Sequence, residues 1–155
     1  MTQPVVIPGF AEAKDFVGTP LGETGWIAID QARVDGFARA TGETNWIHVD
    51  PERAARESPW KGTLIPGYLL LALVPDLLPQ LVRLVGWTTG VNAGIDSCRF
   101  DAPALVGSRL RLGARLARAR TIPPDGVRLT FAIRFELEGS DDTACTARVH
   151  YAYFR

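Results

Sequence analysis

The segment from Ile65 to Val82 constrains the fold most, because it is apolar on nearly every side of a predicted helix. A surface helix has one apolar stripe, whereas a helix that is apolar all round must be buried or wrapped by a sheet. Pro75 and Pro79 interrupt the run together with polar neighbours, which argues against a membrane span. We predict a central helix that begins near Pro66 or Gly67 and is kinked or split at the prolines.

Four later segments change to a period of two, with apolar and polar residues in alternation. This pattern is typical of long antiparallel strands with one buried face. The predicted strands run from Gly90 to Phe100, Arg109 to Leu116, Val127 to Glu138 and Ala144 to Phe154. One apolar helix followed by such strands predicts an α+β fold in which a curved antiparallel sheet wraps the helix.

The composition indicates one soluble domain covering residues 1–155. Seventeen basic and seventeen acidic residues cancel, so no strong field directs the chain toward nucleic acid or an anionic membrane. Cys98 and Cys145 lack metal-ligand spacing, and we expect both to be buried as small apolar side chains. The N-terminal residues lack the basic and apolar regions of a signal peptide, which predicts a cytoplasmic protein.

The segment from Thr41 to Asp50 carries the candidate chemistry. It places an acid, an amide and an imidazole within six positions, namely Glu43, Asn45 and His48. A carboxyl group and an imidazole that lie close together can accept one proton and donate another near neutral pH. The chain contains two histidines, so His48 stands out from the composition.

The start of the central helix is the second candidate feature. The first N–H groups of a helix have no carbonyl partner and favour a developing negative charge, which makes Gly67 a candidate oxyanion donor. Acid, base and oxyanion donor together predict proton transfer next to a carbonyl. Simpler interpretations stay open: a loop carboxylate for Glu43, a structural role for His48, loop stabilisation by Asn45 and close packing at Gly67.

Several of these runs resemble those of a known family. The run from Phe37 to Asp50 resembles the signature of the MaoC-like, (R)-specific enoyl-thioester hydratases, and Ile65 to Tyr68 is similar to the segment that opens their central helix. The runs Trp46 to Ala54, Val91 to Gly94 and Cys98 to Phe100 most resemble the nodulation-protein-N branch. The resemblance covers nearly the whole chain.

The resemblance implies a single hotdog domain, usually dimeric, with an acyl tunnel near the subunit interface. It implies addition of water to a trans-2-enoyl thioester, or its removal from an (R)-3-hydroxyacyl thioester. The acyl group would be linked to coenzyme A or an acyl carrier protein, and no metal or redox cofactor would be used.

By position, the family's catalytic Asp falls on Glu43, its catalytic His on His48, its motif Asn on Asn45 and its oxyanion-binding Gly on Gly67. From the spacing of Glu43 and His48 we expect these two side chains to hold one water between them, with Asn45 orienting the water or the carboxyl group. We also expect Glu43 to be partly buried.

Two positions depart from the family pattern, Glu43 in place of Asp and Pro66 in place of His. The extra methylene at Glu43 moves the carboxyl group, and a misplacement of roughly 1 Å can cost on the order of a hundredfold in rate. The change at Pro66 spares the backbone N–H of the next residue.

Two other functions are compatible with these departures. One is an altered hotdog enzyme of polyketide or secondary metabolism that catalyses dehydration, isomerisation or intramolecular addition. The other is a subunit that binds acyl thioesters without catalysis.

Two further groups of side chains are assigned to the outer sheet face. His150 is expected to be solvated there. Five arginines form either a patch for coenzyme A or a carrier protein, or a solvated strand face: Arg109, Arg111, Arg115, Arg118 and Arg120.

Overall fold

A six-stranded antiparallel sheet and an apolar helix organise residues 3–155, the part of the chain that the computed structural model describes. The helices are α1 (Gln31–Thr41), α2 (Trp46–Val49), α3 (Pro51–Glu57) and α4 (Gly67–Leu77), and 3₁₀ turns span Glu12–Phe16 and Leu78–Gln80. The strands are β1 (Val5–Ile7), β2 (Pro20–Glu23), β3 (Ile27–Ala28), β4 (Val82–Leu84), β5 (Thr89–Arg99), β6 (Arg109–Ile122), β7 (Gly126–Leu137) and β8 (Thr143–Phe154).

The main sheet has the order β2-β6-β7-β8-β5, and β3 also pairs with β6. Its inner face follows the predicted alternation: Phe131 and Phe135 of β7 are fully buried, whereas Arg128 and Arg134 are exposed. The strand β5 lies at the edge of the sheet, and within residues 3–155 it pairs with β8 alone. Its eleven residues are exposed almost throughout, which leaves a long unpaired strand edge.

Helix α4 lies in the core against the inner face of the sheet. Leu69, Leu70, Leu73, Val74 and Leu77 are all buried, as the all-round apolar pattern predicted. Pro75 is accommodated inside the helix, which ends two residues later and continues as the 3₁₀ turn. The prediction of a split near the prolines is therefore confirmed, and none of the helices in residues 3–155 is long and apolar enough to cross a membrane.

Two expectations about this architecture are wrong. The glycines of the segment from Gly18 to Gly25 predict a turn-rich connection, but the segment contains β2, which pairs with β6 and has a register shift between Pro20 and Gly22. Hydrogen bonds from a distant strand decide this local structure. Cys98 was expected to be buried and is exposed, because it lies on the edge strand, while Cys145 is buried.

Candidate active site

Helix α1 positions Glu43. Asp30 accepts a hydrogen bond from the N–H of Arg33 at 2.9 Å and begins the helix, and Gly42 ends it with a left-handed φ of 76°. The N–H of Glu43 then donates to Ala38 O at 3.0 Å, so the residue lies against the last turn of α1. The two caps fix where α1 begins and ends, and they thereby fix the position of Glu43 at its C-terminus.

The carboxyl group of Glu43 is held by the loop that follows. Its Oε1 accepts a hydrogen bond from the N–H of Asn45 at 2.8 Å, which leaves Oε2 for another donor. The expectation of partial burial is wrong for the single chain, because Glu43 is exposed. It lines an open depression of about 460 Å³ with residues of α1 that include Asp35 and Arg39, and His48 is not among the lining residues.

Asn45 begins helix α2. Its Oδ1 accepts a hydrogen bond from the N–H of Ile47 at 3.3 Å, and its backbone O accepts from the N–H of His48 at 3.0 Å. The amide thus has the loop-stabilising contact that was one of its two open interpretations. Through this residue a short chain of hydrogen bonds connects Glu43 with His48.

His48 lies at the end of the four-residue helix α2 and is half-buried. Its Nδ1 lies 2.8 Å from the backbone O of Leu64. A carbonyl oxygen only accepts hydrogen bonds, so Nδ1 must carry the proton, and in the neutral ring Nε2 holds the lone pair. The structure therefore leaves Nε2 as the nitrogen that can accept a proton from water.

Gly67 is the first residue of α4, three positions after Leu64. The residue before it, Pro66, provides no side-chain hydrogen bond to the helix start, so the first N–H groups of α4 are not capped by that side chain. A Cβ added to Gly67 would lie 2.7 Å from Cδ1 of Phe100, so the absence of a side chain also permits this ring to pack closely. Both interpretations of Gly67 are compatible with this geometry.

Two cavities follow α4 away from Gly67, between the helix and strands β5 and β8. The first, of about 280 Å³, is lined by Leu71, Val74 and Pro75 of the helix and by Ile95 and Tyr151 of the sheet. The second, of about 180 Å³, also contacts Pro75 and Tyr151 and extends the same space toward the end of the helix.

A family model described as MaoC like domain matches residues 12–122. The chain belongs to the MaoC-like family. It is 40% identical over 137 residues to 3-hydroxyacyl-thioester dehydratase Z of Mycobacterium tuberculosis, covering 88% of this chain and 90% of that protein. It is 36% identical over 138 residues to nodulation protein N of Rhizobium leguminosarum bv. viciae, covering 88% and 86%. The resemblance inferred from the motifs is thereby confirmed.

Solved structures of the same architecture include the C-terminally truncated HadBC (3R-hydroxyacyl-ACP dehydratase) complex from Mycobacterium tuberculosis. It superposes with a TM-score of 0.73 at 15% sequence identity, covering 89% of this chain and 97% of the other. At this identity the likeness shows the fold alone, and it confirms the predicted hotdog arrangement of sheet and helix. The HadBC structure is itself a complex.

Sequence reasoning missed Gln31 and Thr63. The side-chain amide of Gln31 bonds to the backbone O of His48 and to Thr63 Oγ1, and thereby connects two segments of this MaoC-like site. A glutamine in the first turn of a helix and a threonine in a loop form no recognisable pattern. Their partners lie 17 and 32 positions away along the chain, so only the folded structure identifies them.

His150 was expected to be solvated, and this is wrong. Its side chain is 11% exposed, with Nε2 at 2.9 Å from Asp96 Oδ1 and Nδ1 at 2.8 Å from Thr130 Oγ1. The facing residue of β5 is Gly94, where an added Cβ would lie 3.7 Å from Cδ2 of the imidazole. The neighbouring strands therefore cover a residue whose pattern placed it on the solvent face.

Two of the five outer arginines make ion pairs. Arg109 bonds Glu138 at 2.8 Å, and Arg111 bonds Glu136 at 2.6 Å. Arg134 bonds the same Glu136 carboxylate. Burial works to raise the pKa of Glu136, but hydrogen bonds and charge from Arg134 and Arg111 outweigh it, so the pKa is lowered. These contacts fit a strand face held by ion pairs.

The other perturbed groups are buried residues of the sheet. Burial raises the pKa of Tyr153 to about 12, with a further contribution from the charge of Tyr151. Burial also raises the pKa of the Cys145 thiol to about 12, assisted by Cys98 and Asp101. Both groups therefore stay protonated at neutral pH, and Cys145 is a poor nucleophile.

Proposed function

We propose that this MaoC-like chain hydrates trans-2-enoyl thioesters and dehydrates (R)-3-hydroxyacyl thioesters by acid–base catalysis. The observation that carries the proposal is the fixed ring of His48. Its Nδ1–H is bound to the backbone O of Leu64, which lies three residues before the N-terminus of α4, and Nε2 keeps its lone pair. The 40% identical relative is named a 3-hydroxyacyl-thioester dehydratase, which supports the same chemistry.

The thioester carbonyl accepts a hydrogen bond from the N–H of Gly67. Hydration builds negative charge on this oxygen as the substrate becomes enolate-like. The start of α4 favours that charge, because uncapped N–H groups and the positive end of the helix dipole are directed at it. Pro66 does not interfere, because the bond comes from the following residue.

Water adds between the basic nitrogen and the carboxyl group. Nε2 of His48 takes one proton of the water as its oxygen forms a bond to Cβ. The carboxyl group of Glu43 delivers a proton from Oε2 to Cα as the double bond is lost. The proton held by His48 then returns to Glu43, so both groups regain their starting states and no net proton is consumed. Dehydration runs these steps in reverse. Asn45 holds Glu43 through its backbone N–H at 2.8 Å and orients the water.

The acyl chain follows the face of α4 that begins at Gly67. Leu71 and Val74 lie four and seven residues further on, the spacing that places side chains on one helix face. At 1.5 Å per residue this face reaches about 6 to 11 Å beyond the thioester. The two cavities beside Pro75 and Tyr151 lie along it and provide apolar surface for the chain.

The acyl carrier is coenzyme A or an acyl carrier protein. Relatives with this architecture act on acyl thioesters, and some form complexes. The cytoplasmic location and the absence of a metal or redox cofactor stay predictions.

The working unit is a homodimer. Strand β5 exposes its outer backbone edge along eleven residues, and Val91 and Ile95 are about half exposed at 46% and 50%. A long uncovered apolar edge strand invites pairing with another chain. Pairing of two β5 edges would cover these residues and place the cavities along α4 near the interface. Sedimentation analysis would test this: a monomer at micromolar concentration contradicts the homodimer.

The direct test is loss of the enoyl absorbance of crotonyl-coenzyme A and trans-2-octenoyl-coenzyme A. The wild-type protein should hydrate at least one of them, and Glu43→Gln should lower kcat by about a hundredfold or more. Glu57→Gln, an exposed carboxyl on α3, serves as the matched control. Full activity of Glu43→Gln contradicts the proposed acid. Tight binding of both thioesters without turnover would instead favour an acyl-thioester-binding subunit.

A further inference from the structure

We propose that Gln31 is a positioning residue for the imidazole of His48. Its side chain connects the backbone of His48 with the Thr63–Leu64 segment, whose carbonyl orients the imidazole, and we call this connection the clamp. The inference rests on the proposed function of His48 and adds a residue that acts through it. Gln31 lies in the first turn of α1, outside the motif that carries the acid and the base.

The side-chain amide of Gln31 is satisfied on both sides. Its Nε2 donates to the backbone O of His48 and to Asp35 Oδ1, each at 2.8 Å. Its Oε1 accepts from Thr63 Oγ1 at 2.7 Å. Two acceptors face the nitrogen and one donor faces the oxygen, so the orientation of the amide is determined by its surroundings.

Together with two further hydrogen bonds, these contacts form a closed network around His48. The imidazole Nδ1–H is held by Leu64 O, and the N–H of Leu64 donates to Ile47 O at 2.9 Å. Thr63, the residue before Leu64, is tied through Gln31 to the backbone of His48. The Gln31 amide therefore holds the backbone of His48 directly, and it holds the Leu64 carbonyl that orients the imidazole through the preceding residue, Thr63.

Gln31 is not needed to begin α1, because Asp30 already accepts from the N–H of Arg33. Its contacts go to Asp35 of its own helix and to the two segments of the site. Thr63 is 6% exposed, so its hydroxyl has little access to water and relies on Gln31. A purely local role in the helix does not account for bonds to residues 17 and 32 positions away.

The clamp predicts a specific kinetic effect. Gln31→Met keeps the length of the side chain and its helix propensity but removes both halves of the amide. We expect kcat to fall about tenfold or more with KM within about threefold, because a small displacement of a catalytic group is costly while the substrate contacts remain. Gln80→Met, an exposed glutamine after α4, is the matched control and should leave kcat unchanged.

The imidazole itself provides a readout that is independent of activity. The chain has two histidines, so a long-range ¹H–¹⁵N spectrum contains two rings, and His150→Asn assigns them. In the wild type His48 should show the Nδ1–H tautomer. In Gln31→Met its signals should shift toward a mixture of tautomers, whereas those of His150 should not move.

Thr63 offers a second route to the same contact. Thr63→Val removes the hydroxyl at nearly constant volume, and Thr63→Ser keeps it. Valine should reproduce part of the loss in kcat and serine should not. The double variant Gln31→Met/Thr63→Val should be no worse than Gln31→Met alone, because both changes break one network. If Gln31→Met folds poorly, the comparison of Thr63→Val with Thr63→Ser still tests whether the clamp positions His48.

The outcomes separate the clamp from the proposed reaction. A wild-type protein without hydratase activity would contradict the proposed function. The tautomer of His48 in Gln31→Met would still test whether the clamp exists. Unchanged His48 signals in Gln31→Met and Thr63→Val overturn the clamp, even if activity falls, because the loss then has another cause.

Discussion

The two histidines of this chain lie in contrasting surroundings. His48 belongs to a four-residue helix, is half-buried and has Nδ1 bound to a backbone carbonyl. His150 belongs to a long strand, and both of its ring nitrogens have side-chain partners, Thr130 at Nδ1 and Asp96 at Nε2. A carboxylate accepts hydrogen bonds, so Nε2 of His150 carries a proton, whereas in neutral His48 the proton is on Nδ1.

The comparison separates a ring that can react from one that is used to hold the structure. A histidine with both nitrogens engaged cannot exchange a proton without losing a contact. A ring held at one nitrogen is oriented and still has a free lone pair. Burial alone does not distinguish the two residues, since both are partly buried.

The largest predicted difference is in activity. His48→Asn places an amide N–H near Nδ1, so the bond to Leu64 O can form, but it removes Nε2. Loss of a general acid–base group typically costs about 10² to 10⁴ in rate, and we expect kcat to fall by that amount. His150→Asn should stay within about threefold. Rates with an enoyl-coenzyme A substrate measure both variants.

Two outcomes would contradict the expected order, in which His48→Asn loses more kcat than His150→Asn. Equal loss in the two variants would indicate that His150 also contributes to the reaction, through the cavity that it lines with Leu71 and Tyr151. A fully active His48→Asn would remove the base from the mechanism.

The next effect concerns the N-terminus of α4. Gly67→Ala places a methyl group 2.7 Å from Cδ1 of Phe100, which forces the half-exposed ring to move. Overpacking of this kind costs about 1 to 3 kcal/mol of stability, and it should also lower kcat by disturbing the proposed oxyanion donor. Denaturant unfolding and turnover of Gly67→Ala measure the two effects.

The double variant Gly67→Ala/Phe100→Ala separates the two roles of Gly67, because Cγ of Phe100 also lies 2.8 Å from the added Cβ and must be removed with the ring. If Gly67 serves packing alone, the smaller side chain should restore both stability and turnover. Recovery of stability without recovery of kcat would support the oxyanion role.

A third effect is on stability at His150. Thr130 is 5% exposed, and its hydroxyl contacts the imidazole at 2.8 Å. His150→Leu leaves this hydroxyl buried without that partner, which should cost about 1 to 3 kcal/mol in the free energy of unfolding. His150→Leu/Thr130→Val removes both polar groups and should recover much of the loss. Additive losses in the double variant would show that the hydrogen bond contributes little.

The contrast between these regions also explains what the sequence predicted well. The apolar run of α4 and the alternation of β7 report burial directly, so both elements were predicted within a few residues. The caps at Asp30 and Gly42 are local signals of the kind that a sequence shows, and they end α1 directly before Glu43.

Long-range partners set the limits of prediction. His150 contacts Thr130 and Asp96 of the two neighbouring strands, and Gln31 contacts residues of two later segments. Pairing with β6 turned a glycine-containing connection into β2. In each case a contact distant in sequence decided the outcome, and the pattern near the residue carried no sign of it.

The smallest predicted effect is at Asp96. Its side chain is 68% exposed, so its ion pair with His150 is largely screened by solvent. Asp96→Asn keeps an oxygen that can accept from Nε2–H, and we expect a loss below about 1 kcal/mol in unfolding and no change in turnover. Ser97→Ala on the same strand provides the baseline for an exposed edge position. If Asp96→Asn lowered the free energy of unfolding as much as His150→Leu, the ion pair with Asp96 on the edge strand would be the main contact that holds the imidazole. The hydrogen bond to Thr130 would then contribute little.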